Sequence, residues 1–382
     1  VSAIQSTKLP PLSLYIHIPW CVKKCPYCDF NSHTANGALP ERDYVAALLQ
    51  DLKQEIPGVQ QRKLSSIFFG GGTPSLFSAA AIETLLDASK QLIGWEKNIE
   101  ISLEANPGTA DEQNFTGFRR AGVNRLSLGV QSFDDRFLKK LGRIHSAEEA
   151  RRAVGAARNA GFDTVNLDLM YGLPGQTTDQ SLADLQSAIQ LQPEHISWYE
   201  LTLEPNTEFY KRPPQLPQES AMDSIEASGR VTLQQAGYAR YEISAYAKPG
   251  RQSRHNCNYW EFGDYIGIGA GAHGKISTDT IERKWKTRVP SDYMAAGCDP
   301  LAGRRQLTAE QLPLEFMMNT LRLTDGVPAS YYQQRTGGQL ARIEPTLKQL
   351  RQRGLLQQDP ERICTTTAGS QFLDSVLQAF ID

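Results

Sequence analysis

Short runs that are apolar almost throughout alternate with longer stretches in which apolar residues recur every three or four positions. Residues 12–18, 64–69, 99–104, 125–130, 164–170 and 196–203 are runs of the first kind. Their length and their bounding turn residues predict buried strands. Between them, 41–56 reads as an amphipathic helix with Tyr44, Leu48, Leu49 and Leu52 on one face. Helical spacing also covers 79–93, 111–121 (closed by Gly122), 134–141, 147–160 (opened by Ser146) and 178–190. A helix over 219–235 and a short strand over 241–245 complete the series. Strands alternating with helices predict an α/β fold of parallel units with right-handed crossovers. Six such units build either an open doubly wound sheet or a full or partial barrel, and periodicity does not choose between them.

After residue 247 the rhythm breaks. Residues 248–279 are rich in glycine, aromatic and polar residues, which suits a tight loop where a ligand approaches the backbone. From 304 to 382 the pattern is that of a small separate unit. It has helices over 312–323 and 343–352, a Gly354-Leu355-Leu356 turn, a strand over 362–365 and a last helix from Ala368. Helices followed by a two-stranded wing predict a winged-helix-like domain. The expected division is 1–247, a connecting segment 248–303, and 304–382.

Composition narrows the class. With 40 basic and 42 acidic residues, nothing in the net charge favours nucleic acid. No apolar run reaches the roughly 18 residues of a membrane span, and residues 1–11 carry no apolar core of a signal peptide. Six cysteines, three of them bunched, fit a reducing compartment and a metal site, so a cytoplasmic location is expected.

The bunched three are Cys21, Cys25 and Cys28, directly after the first strand. They are too close for a disulfide framework and one ligand short of a closed zinc site. Three thiolates can hold three irons of a 4Fe–4S cluster and leave the fourth open. Other candidates fall at strand ends. Gly70-Gly71-Gly72-Thr73 closes the second strand, and Glu104 ends the third. Gln131 ends the fourth, Arg143 follows twelve residues later, and Asp168 lies on the fifth. Buried carboxylates accept hydrogen bonds from hydroxyl or ammonium groups, and Arg grips carboxylates. An Asp168–Arg143 ion pair is the structural alternative for that aspartate.

Cys-x3-Cys-x2-Cys after a first strand resembles the signature of radical S-adenosylmethionine (SAM) proteins. That resemblance implies a partial (β/α)6 barrel and a cluster whose open iron is chelated by SAM. It also implies SAM contacts at Tyr15, Tyr27, Gly71, Gly72, Thr73, Glu104, Gln131, Arg143 and Asp168. Across almost the whole chain the pattern is similar to the oxygen-independent coproporphyrinogen III oxidases, with two departures. Phe30 stands where those enzymes have a fourth cysteine, and only residues 1–11 precede the first strand. Both departures resemble instead the branch of haem chaperones called HemW, which carries a His-Asn-x-x-Tyr-Trp motif. Here that motif is His255-Asn256-Cys257-Asn258-Tyr259-Trp260. The branch implies haem as a further ligand with His255 on its iron. Tyr259 and Trp260 would supply flat surface, and Arg254 would meet a propionate. Cys257 reads as a buried thiol and His273 as an alternative iron ligand. The implied partner is a haem-accepting protein, of respiratory type, and the branch is compatible with a homodimer and with peripheral membrane contact. The rival expectation is SAM-dependent decarboxylation of coproporphyrinogen III.

Overall fold

A computed structural model describes residues 9–295, 297 and 299–381, with the backbone alone at 109–111. Residues 1–8, part of the stretch read for a leader, and Cys298 lie outside the described residues.

Twelve strands form one sheet. In chain order they are β1 (Leu12–Ile18), β2 (Leu64–Gly71), β3 (Trp95–Ala105), β4 (Arg125–Gln131), β5 (Val165–Tyr171) and β6 (His195–Glu200). They continue with β7 (Ala239–Glu242), β8 (Ala245–Ala247), β9 (Asp264–Ile268), β10 (His273–Ser277), β11 (Ile281–Lys286) and β12 (Leu301–Gln306). The spatial order is β12-β11-β10-β9-β1-β2-β3-β4-β5-β6-β8-β7, and pairing from β9 through β6 is parallel. The two edge strands, β12 and β7, do not pair, so the sheet is not a closed barrel. Helices Glu41–Val59, Ala79–Leu92, Thr109–Ala121, Ala147–Asn159 and Thr178–Gln190 provide the crossovers. Strands covered on both faces are mostly apolar, and β1 is buried at every position but Tyr15, with its polar Ser13 and His17 hydrogen-bonded.

The segment 248–303, expected as a connection, instead extends the sheet. β9 adds in parallel to β1, with Leu12 opposite Asp264, and β10–β12 follow as an antiparallel meander. Two buried ionic clusters fasten this extension, and no apolar pattern announces either. Asp264 accepts from Lys275 Nζ at 2.7 Å and Arg62 Nη1 at 2.8 Å. Lys286 Nζ reaches Asp51 at 2.6 Å and Glu55 at 2.7 Å on the 41–59 helix. The expected single strand at 241–245 is a pair, β7 and β8, turned antiparallel on the far edge.

The C-terminal unit packs around Phe316, Met317, Tyr332, Leu347, Leu350 and Val376, in a core that also takes in Tyr241, Phe262 and Ile281. The wing shows as an antiparallel bridge between Leu356 and Thr365. Val327–Pro328 pairs with Arg362–Ile363 beside it, and a helix at Ser330–Thr336 joins those anticipated.

Candidate functional site

Barrel chemistry gathers where strands end at their C-termini. Residues of β2–β6 and of the loops that follow β1–β4 surround a cavity of about 310 Å³. Cys21, Cys25, Tyr27 and Cys28 line one wall, and Gly71, Gly72, Thr73, Glu104, Gln131, Arg143 and Asp168 line the others. Residues far apart in sequence thus share one space. The five described cysteines are free thiols.

The cysteine loop is half-exposed and turns on a hydrogen bond from Cys28 N to Cys25 O at 3.2 Å. Burial pushes the Cys21 thiol up, and the neighbouring Cys28 and Cys25 push it further against hydrogen bonding from Thr73. Burial likewise raises Cys28. A bound cation relieves both penalties, because coordinated thiols are deprotonated outright. Among the described residues, no three His, Cys, Asp or Glu side chains converge on a single metal ion. Three thiols spread round a cavity wall suit a larger iron–sulfur cluster.

The glycine turn is held tightly against that loop. Gly72 N and Thr73 N donate to the Ile18 and Trp20 carbonyls at 2.8 and 2.7 Å. A Cβ at Gly72 would lie 2.5 Å from the Trp20 oxygen. Gly71 has φ +118°, and its N–H donates to Glu104 Oε2 at 3.2 Å. Glu104 is pushed up to about 8, chiefly by burial and then by Asp168, against the Gly71 hydrogen bond. Asp168 is raised by burial, although Asn166, Ser127 and Ser197 hold its charged form with hydrogen bonds. Two carboxyls with raised pKa facing one cavity favour a cationic ligand, whose charge offsets their desolvation.

Gln131 sits at φ +69°. β4 bulges there, three residues of it spanning two of β5 between Leu128↔Leu167 and Gln131↔Leu169. A bulge re-aims a side chain, and Tyr199 OH fixes this one by donating to Gln131 Oε1 at 2.8 Å. The Asp168–Arg143 ion pair is not formed. Ser127 and Asn166 donate to Asp168 at 2.9 and 2.8 Å. Arg143 donates to Asn106 Oδ1, the Gly129 carbonyl and Cys25 Sγ at 2.5, 2.7 and 3.6 Å. Arg143 thereby joins the cysteine loop to two strand ends.

A second cavity, of about 460 Å³, shares Phe30, Gly71 and Glu104 with the first. Tyr15, His17, Tyr259, Tyr265, His273 and Arg288 complete its rim. Tyr15 therefore lies on this side, its hydroxyl 2.9 Å from His17 Nδ1. His17 Nε2 donates to the Asn31 carbonyl at 2.9 Å, and burial lowers the imidazole to about 4.

The motif at 254–260 is a helix, Arg254–Trp260, rather than a loop. Its first turn is capped by Ser253 and by the Glu100 carboxylate, which accepts from Arg254 N and His255 N. His255 lines neither cavity. It is 1% exposed, with Ser66 Oγ at 3.0 Å from Nδ1 and Tyr259 OH at 2.9 Å from Nε2. Burial lowers it to about 3, so it is neutral with both nitrogens engaged. The i,i+4 spacing of His255 and Tyr259 on a helix brings these rings together. Arg254, expected at a propionate, is tied to Glu96 and the Asn98 carbonyl. Trp260 packs on the C-terminal core with Arg322 over its ring at 4.3 Å. Cys257 is half-buried, its thiol pushed up to about 12 chiefly by burial.

Sequence reasoning passed over Asn106, Ser127, Ser197 and Tyr199, which also line the first cavity. A polar residue at or just beyond a strand end was the available signal for Asn106 and Tyr199, whereas Ser127 and Ser197 lie inside their strands beside Asp168 and carried none.

Residues 15–186 match the Radical SAM superfamily, and residues 307–372 the HemN C-terminal domain. The chain is 49% identical over 380 residues to "Heme chaperone HemW" of Haemophilus influenzae, covering 98% of this chain and 99% of that one. It is 49% identical over 376 residues to the protein of that name from Escherichia coli, with the same coverage. The fold superposes on coproporphyrinogen III oxidase (HemN) of Escherichia coli, a radical SAM enzyme, with a TM-score of 0.82 at 24% identity. That match spans 99% of this chain and 91% of the other, and it shows a shared architecture.

Proposed function

Because the chain belongs to the HemW family of the radical SAM superfamily, we propose that it binds haem and passes it to an acceptor protein. The observation that carries this reading is 49% identity along 98% of the chain to relatives named haem chaperones. In this reading Cys21, Cys25 and Cys28 hold a 4Fe–4S cluster. Gly71, Gly72, Thr73, Glu104, Gln131, Arg143 and Asp168 receive SAM, with Tyr27 against its adenine. When bound, the cluster with SAM supplies one-electron chemistry. The chain's own residues orient the ligand and shield it. The Gly71–Thr73 backbone permits close approach, Glu104 and Asp168 face its positive charge, and Arg143 spans to the cysteine loop. The shared wall of Phe30, Gly71 and Glu104 puts this site next to an aromatic-lined cavity suited to a porphyrin. The state of the first site then gates haem release from the second, and the acceptor is a haem protein of respiratory type. Among the described residues no helix is long and apolar enough to cross a membrane.

The test is haem titration of the anaerobically reconstituted protein, followed by transfer to an apo-acceptor with and without SAM. The reading expects a shifted Soret band, SAM-dependent transfer, and no protoporphyrinogen from coproporphyrinogen III. A Soret band unchanged from that of free haem would overturn it.

A further inference from the structure

We propose that haem docks in the second cavity with His273 as its iron ligand and Arg288 on a propionate, while His255 acts only by positioning Tyr259. The inference rests on the haem-binding reading above.

An iron ligand needs an unengaged imidazole nitrogen with room in front of it. Two histidines, His17 and His273, line this cavity, and His255 packs behind its wall. His17 uses both nitrogens, on Tyr15 and the Asn31 carbonyl. His255 uses both as well and is sealed behind the Tyr15 and Phe68 rings, with Phe68 stacked on it at 5.0 Å. His273, the first residue of β10, is exposed on the rim. Among the described residues neither of its nitrogens has a hydrogen-bond partner. Burial and the nearby Arg283 and Arg288 charges lower its pKa, which keeps it neutral and able to coordinate at neutral pH.

The remaining parts of a porphyrin site lie on the same rim. Phe30 is 59% exposed and offers the rim an apolar ring face. Tyr259 and Tyr265 meet edge-on at 4.3 Å and present flat surface. Arg288 is exposed, lines the cavity, and makes no ion pair among the described residues. Its backbone is fixed, because Asn31 Nδ2 donates to the Arg288 and Ala270 carbonyls at 2.8 and 2.9 Å. Asn31 follows Phe30, so the cysteine loop and the β10–β11 edge form one rim. His255 is the inner end of a buried chain. Asn258 Nδ2 donates to Ser13 Oγ at 2.9 Å, Ser13 meets Ser66 at 2.8 Å, and Ser66 meets His255, which holds the Tyr259 hydroxyl.

The full-length, cluster-reconstituted protein is titrated with ferric haem and read by Soret absorption and electron paramagnetic resonance. Wild type, His273→Ala, Arg288→Ala and His255→Ala are compared. His273→Ala is expected to lose the histidine-ligated signals and about tenfold or more in affinity. Added imidazole should restore the signals. Arg288→Ala should weaken binding and keep the spectrum. His255→Ala should keep histidine ligation. An unchanged cluster absorbance shows that each variant is folded, and His273 and Arg288 are surface positions. A wild-type spectrum in His273→Ala overturns the assignment, as does loss of histidine ligation in a folded His255→Ala. Absence of haem binding by wild type overturns the haem-carrying reading itself, and the assignment with it.

Discussion

Glu104→Gln separates the electrostatics of the first cavity from its shape, since the amide keeps the volume and can still accept from Gly71 N. In the SAM-free protein Glu104 is pushed up to about 8 from an ordinary 4.5. Between those values the folded state holds one proton more than the unfolded chain, so stability falls by about 1.4 kcal/mol per pH unit. The contribution is fully present below about pH 4.5 and lost as pH rises through about 8. The full effect would approach about 4–5 kcal/mol, and water in the cavity screens it to about 2 kcal/mol. For 382 residues that corresponds to roughly 2–3 °C in Tm. Thermal unfolding of SAM-free wild type and Glu104→Gln is compared at about pH 5 and about pH 8.5. The variant should gain on wild type by that amount as pH rises. Binding of SAM, a sulfonium cation, should re-ionise Glu104. Calorimetry near pH 7 in two buffers of different ionisation enthalpy should then find up to about one proton more released by wild type than by the variant. Parallel Tm curves together with equal proton release would refute the argument that Glu104 is held protonated.

Serine at Cys21, Cys25 or Cys28 should abolish the iron–sulfur absorbance of reconstituted protein, whereas serine at Cys257 should leave it intact, measured as iron content and visible spectrum. Gly72→Ala forces a methyl to within 2.5 Å of the Trp20 carbonyl, so the loops must separate. The expected cost is roughly 1–3 kcal/mol of stability, with SAM binding lost in equilibrium dialysis. Lys275→Met leaves the buried Asp264 with Arg62 as its remaining cation, at a cost of roughly 3–5 kcal/mol in urea unfolding. A change below about 1 kcal/mol would mean that Arg62 alone satisfies Asp264.

The primary sequence by itself determined the crossover rhythm. Short, mostly apolar runs bounded by turn residues suit a sheet covered on both faces, so β1–β6 were legible to within a few residues at most ends. It also determined the cysteine loop, because three thiols within eight residues need no folding to be neighbours. Much of the first cavity followed from strand ends, since polar residues there converge in any parallel barrel. Tertiary structure decided the rest. Strands β9–β12 are fastened by Lys275–Asp264 across neighbouring strands and by Lys286–Asp51, 235 residues apart, and neither pair carries an apolar period. The fate of Asp168 depended on Ser127 of the neighbouring strand lying nearer than Arg143, while Asn166, two residues away on the same strand, shared its face. The motif at 254–260 marked an important place, but its chemistry was set by what packed around it. Ser66 and Tyr259 occupied His255, while the turn into β10 left His273 facing open space. A sequence shows which side chains can bind, and only packing shows which still have an atom free to do so.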